Sequence, residues 1–129
     1  MACPWLIRRF IDPAARILFV PADRVLAVAE AEGGLPFDVP NVKLGHHGDL
    51  CSFDAFLLHY NLHDRVLERV ARVVRGADTD RLDLAPEAAG LYAIATGFQK
   101  LMPERFENDD AMLAAETPMY DALYEFFRT

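Results

Sequence analysis

From Pro86 to Met102 the chain is apolar on almost every side of a would-be helix, with Glu87, Gln99 and Lys100 as its charged or strongly polar positions. A helix without a polar face is expected to be buried all round. This segment is therefore predicted to be the central helix of the fold. Ala89, Ala93 and Gly97 form a strip of small residues on it, where another backbone can come close.

The remaining pattern supplies helices to surround it. Pro4 suits a first helical turn, and Asp12-Pro13 ends that segment because proline disfavours helix in the residue before it. Ala22 to Glu32 is helical in pattern, with Leu26 and Ala29 on one face and Gly33-Gly34 as the stop. Ser52 is a good N-cap for a short helix whose Phe53, Phe56, Leu57 and Tyr60 face inward. His63 to Arg75 turns its valines in and its arginines out, and Gly76 is expected to close it. A last helix runs to Arg128, interrupted at Pro118, with Thr117 as a new cap. Ile17-Leu18-Phe19-Val20 and the stretch 35–45, with Pro36 and Pro40, read as short strands or extended loop. The expected fold is thus mainly α (α+β): five to six helices around a central apolar helix, with a small β element, in one domain spanning 1–129.

An apolar share of 53% over 129 residues suffices for one core without covalent staples. The net charge of −7 repels polyanions. The basic concentration Arg65, Arg69, Arg72 and Arg75 is interrupted by Glu68 and carries no interleaved aromatics, so it reads as a solvated helix face with a Glu68–Arg72 pair. Direct nucleic-acid binding is not expected. No uncharged apolar run approaches the ~18 residues of a membrane span. The start, Met-Ala-Cys-Pro-Trp, has no basic lead into an apolar run, and Cys3 and Cys51 form no CxxC or disulfide framework. A reducing cytoplasm is the expected setting, with both thiols unbridged.

Reactive side chains are densest in His46-His47-Gly48-Asp49-Leu50-Cys51, just ahead of a helix start. Imidazole, carboxylate and thiol are all metal ligands, although the spacing matches no standard zinc pattern. A helix N-terminus can also lower a cysteine's pKa, which makes Cys51 a candidate nucleophile or reductant. Arg8 and Arg9 lie on an otherwise apolar helix, where an arginine needs an anionic partner or can clamp a tetrahedral anion. Asp78, Asp80 and Asp83 surround Arg81 in one loop. Glu87 opens the apolar helix, and Asp121 lies among Tyr120, Tyr124 and Phe127.

Four phrases occur in order: Ala2-Cys-Pro-Trp-Leu-Ile-Arg-Arg-Phe-Ile-Asp12, Leu44-Gly-His-His-Gly-Asp-Leu-Cys-Ser-Phe-Asp54, Arg75-Gly-Ala-Asp-Thr-Asp-Arg-Leu-Asp-Leu-Ala-Pro-Glu-Ala-Ala-Gly-Leu91 and Tyr120-Asp-Ala-Leu-Tyr124. Together they resemble the C-terminal domain of bacterial chromate-resistance proteins of the ChrB type, from about residue 2 to 128. The resemblance implies a role in chromate resistance. It marks Cys3, Arg9, His46, Asp49, Cys51, Asp78, Glu87 and Asp121 as positions of interest. In longer relatives this domain follows a region like a DNA-binding regulator, which is not carried over here.

The first expectation is a domain that binds or senses chromate or a related oxyanion, with Arg9, His46, Asp49, Ser52 and Asp78 as ligand-binding residues. The second is an enzyme acting on chromate, through the Cys51 thiol or through a transition metal held by His46, Glu87 and Asp121. The third is a structural or dimerisation domain whose polar residues are only caps and salt bridges, with the oligomeric state left open between monomer and homo-oligomer.

Overall fold

A computed structural model describes residues 1–128. Helix α1 (Ala2–Leu6) continues into a wider π-type turn over Ile7–Ile11, closed by the Asp12 N–H on the Ile7 carbonyl at 2.7 Å. A 3₁₀ turn at Ala22–Arg24 leads into α2 (Val25–Glu32), which Gly33 ends in the left-handed conformation at φ 68°. Then follow α3 (Ser52–His59), α4 (Arg65–Asp78), α5 (Ala88–Leu101) and α6 (Asp109–Arg128). No helix among the described residues is long and apolar enough to cross a membrane.

The core sits where α1, α3, α4 and α6 meet. Asp64 caps α4, its carboxylate accepting from the Val66 and Leu67 N–H groups, and Tyr124 of α6 donates to the same side chain at 2.8 Å. Beyond that cap, Leu67, Val70, Ala71, Val73 and Val74 are buried. This is the apolar stripe of an amphipathic helix, and burying each large side chain is worth about 1.5–3 kcal/mol. Trp5 is only 2% exposed and packs on Phe10, Phe53, Tyr120 and Tyr124. Arg65, Arg69 and Arg72 do face outward, but Arg69 lies over the Phe127 ring at 4.7 Å, and no Glu68–Arg72 pair forms.

The mainly helical expectation holds, and several of its details do not. Helix α5 is not the centre: only Ala88 and Leu91 are buried on it, while Tyr92 and Ile94 are about half exposed. A Cβ added at Gly97 would meet nothing within 4 Å. The tight helix contact is instead at Gly76, inside α4, whose missing Cβ would stand 2.9 Å from the Ala88 Cβ. Uniform apolarity told the sequence reading nothing about which side a neighbour covers, and α5 packs on α4 along one side only.

The β element is reduced to two isolated bridges, Phe37 with Leu44 and His47 with Leu50. Residues 15–20 form no regular element and pair with no strand among the described residues, and only Ile17 is buried there. Helix α2 turns Val25, Val28 and Ala29 inward and leaves Leu26 exposed. Helix α6 passes through Pro118 unbroken, with the Thr117 hydroxyl donating to the Leu113 carbonyl rather than capping a new helix. Between α2 and the body of the fold lies a cleft of about 910 Å³.

Candidate metal centre

The loop 36–50 folds back on itself. The Asp38 N–H donates to the Leu44 carbonyl at 3.0 Å, and the backbone turns through positive φ at Asp38, Asn41 and Gly48. At Gly45 a Cβ would stand 2.7 Å from the Val39 carbonyl oxygen, so only glycine lets the loop close this tightly. Closure brings Asp38 beside His46. The last residue of α4, Asp78, completes a triad: His46 Nε2 is 3.6 Å from Asp38 Oδ1 and 3.4 Å from Asp78 Oδ2. One donor atom from each residue lies within 4.8 Å of the others. All three side chains are about half exposed, and the buried Ser52 hydroxyl donates to Asp38 Oδ1 at 2.8 Å, fixing its orientation.

The electrostatics favour a cation. Partial burial and the Asp38 charge raise the Asp78 carboxyl above its usual range. A carboxylate on the final residue of α4 also faces the negative end of that helix's dipole, where a positive charge is favoured. Two carboxylates and one imidazole, reachable by solvent, match the mixed oxygen–nitrogen set of a divalent first-row metal and leave coordination positions open. A bare dianion would meet like charge here.

The other predicted site residues lie elsewhere or have other duties. Arg9 is exposed and forms an ion pair with Asp121, donating through both Nε and Nη2. Asp121 also accepts the Trp5 indole N–H at 2.8 Å, so it ties α1 to α6 and is not part of the metal cluster. The Arg9 guanidinium holds its carboxyl below the usual range. Glu87 is the residue ahead of α5 and does not join the triad either. Asp49 is exposed, near enough to Arg81 for its charge to be felt.

Cys51 is the cap of α3 and is fully buried. Its N–H and thiol both donate to Asp54 Oδ2, at 3.0 and 3.4 Å, and Arg75 Nη1 reaches Asp54 Oδ1 at 3.3 Å. Burial pushes the Cys51 thiol up to about 12, the reverse of the activation expected of a helix start. The start of α3 already holds its own carboxylate, which removes the reason to seek an anion there. Both cysteines are free thiols, and burial raises Cys3 as well.

Asp38 and Asp54 escaped the sequence reading. A carboxylate set between two prolines eight residues ahead of His46 was the available signal for Asp38. Asp54, at the third position of a helix, carried the pattern of a reciprocal cap.

A mainly helical domain with an exposed carboxylate–imidazole triad is the class that this geometry defines. The family model for the ChrB C-terminal domain matches residues 1–127, and the chain belongs to that family. It is 35% identical over 128 residues to the Protein ChrB of Cupriavidus metallidurans, an alignment covering 98% of this chain and 37% of that protein. The chain thus spans little more than a third of the length of the curated relative it matches. No solved structure matches.

Proposed function

We propose that this domain serves chromate resistance by holding a divalent first-row transition cation at Asp38, His46 and Asp78, and that an oxyanion binds at that cation's open positions. The observation carrying this reading is the approach of the His46 ring nitrogen to both carboxylates, at 3.4 and 3.6 Å. The oxyanion role expected from the sequence is kept, but its positive charge comes from the metal instead of Arg9, whose guanidinium is engaged by Asp121. Three protein ligands leave a cation room for exogenous oxygen donors. A thiol reaction at Cys51 has less support, because the sulfur is enclosed and protonated near neutral pH. Two unbridged thiols suit a cytoplasmic setting.

Calorimetric titration of metal-free protein with Mn²⁺, Ni²⁺ and Zn²⁺ tests the reading. One equivalent should bind, and Asp38→Asn or His46→Ala should weaken it at least tenfold. Chromate should then bind the loaded protein and not the chelator-treated one. Chromate binding that ignores chelation but fails with Arg9→Ala would return the site to the arginine.

A second reading, self-association, draws on the half-exposed Ile94 and Leu101 of α5. A mass of twice the monomer by light scattering, lost in Ile94→Glu, would favour it.

A further inference from the structure

We propose that the cleft between α2 and α5–α6 binds a small apolar amine whose ammonium group pairs with Glu116. The cleft's volume, about 910 Å³, is in the range of small-molecule sites. Much of its lining is apolar, including Phe19, Val25, Val28, Phe37, Tyr92 and Met112. On α5 the half-exposed Tyr92 and the partly buried Ala95 line the cleft beside the buried Leu91.

Glu116 supplies the polar contact. It is 2% exposed, yet no described residue gives it a hydrogen bond or ion pair. Among the described residues no fully enclosed side-chain oxygen or nitrogen lacks a partner, and Glu116 lines the cleft, so its unpaired oxygens have their narrow opening there. A carboxylate held out of water without a partner is costly, and a cation arriving beside it removes that cost. Burial accordingly raises this carboxyl, and the Met1 amino group, which also lines the cleft, lowers it through space.

The charges around the cleft select the same sign. Asp12, Asp109 and Glu116 line it, against Arg16 and the Met1 amino group, while Asp38 and Asp78 border it with their charge engaged by the cation proposed at the triad. An organic acid would set a second carboxylate beside Glu116, and a neutral molecule would leave Glu116 unpaired. An alkyl- or arylalkylamine satisfies both the walls and the carboxylate. The cleft borders the proposed cation site through Asp38 and Asp78, but the amine pairing rests on Glu116, which is not one of that cation's ligands.

The test uses the neutral dye N-phenyl-1-naphthylamine, whose fluorescence rises in apolar sites, with n-octylamine, octan-1-ol and octanoate as competitors. Octylamine should displace the dye at least tenfold more effectively than octanol, and octanoate should displace it least. Glu116→Gln should erase the preference for the amine while leaving octanol displacement and metal binding unchanged. Val28→Trp, which fills the cleft from α2 without touching Glu116, should weaken dye and amine together. Equal displacement by all three competitors, a preference that survives Glu116→Gln, or no dye bound to folded protein would overturn the proposal.

Discussion

Gly76 of α4 lies so close to Ala88 of α5 that a Cβ at position 76 would stand 2.9 Å from the alanine's own Cβ and 2.8 Å from the Arg81 carbonyl oxygen. Neither neighbour is the movable end of a long side chain. Gly76→Ala should therefore cost about 1–3 kcal/mol by overpacking. Gly97→Ala, where nothing lies within 4 Å, should be neutral or stabilise by about 0.5–1 kcal/mol through helix propensity. Urea unfolding of both variants checks the ranking, which is the opposite of what the small-residue strip on α5 suggests.

Removing Asp54 should be among the most damaging single changes. Its carboxylate takes the Cys51 N–H and thiol and the Arg75 guanidinium in a largely enclosed position. Asp54→Ala would leave a half-buried arginine unpaired, at a cost of about 3 kcal/mol. Arg81→Ala, at an exposed pair with Asp83, should change stability by less than about 0.5 kcal/mol. Parallel chemical denaturation curves compare the two.

The Arg9–Asp121 contact predicts an acid-sensitive contribution. The folded-state pKa of Asp121 is depressed by Arg9 and then by the Trp5 indole, so its stabilisation is complete above the unfolded value, about 3.9. That contribution fades as pH falls through the lower folded value. Asp121→Asn, which retains an acceptor for Trp5, should be less stable than wild type at pH 6 by under about 1 kcal/mol, since the pair is partly solvated. The gap should close toward pH 2–3. A constant gap from pH 6 to pH 3 would assign the contact's worth to geometry and not to charge.

Cysteine labelling should divide native from unfolded protein. With the Cys51 sulfur enclosed and its thiol at about 12, iodoacetamide at pH 7.5 should leave it unlabelled in the native state. In denaturant without reductant, mass spectrometry should find two labels per chain. Rapid native labelling of Cys51 would mean that the α3 cap opens readily.

Helix positions were legible in the sequence because caps and stops are local. Pro4, Gly33 and the stripe from Leu67 to Val74 mark their elements through chemistry confined to a few neighbours. Gly76 shows the limit of that logic. A glycine after an apolar run usually ends a helix, yet here it stays helical because α5 needs the space its side chain would take. The triad shows the same limit at the site. His46 and Asp78 could be suspected singly, but joining them depends on α4 ending beside a loop that closes between Asp38 and Leu44. Arg9 stands out in the sequence for its charge on an apolar helix, and the partner that satisfies it lies 112 residues away.

The turn that joins α1 to α6 through Asp121 also makes the domain self-reporting. Trp5 is the chain's single tryptophan, enclosed among four aromatic rings with its indole nitrogen bound to a carboxylate. Its emission should be blue-shifted in the folded domain. Release of the N-terminal turn from α6 should move it to the red even where the rest of the fold persists. Fluorescence and helical circular dichroism, followed together through denaturation, would therefore separate undocking of the N-terminus from collapse of the core, using only a residue already in place.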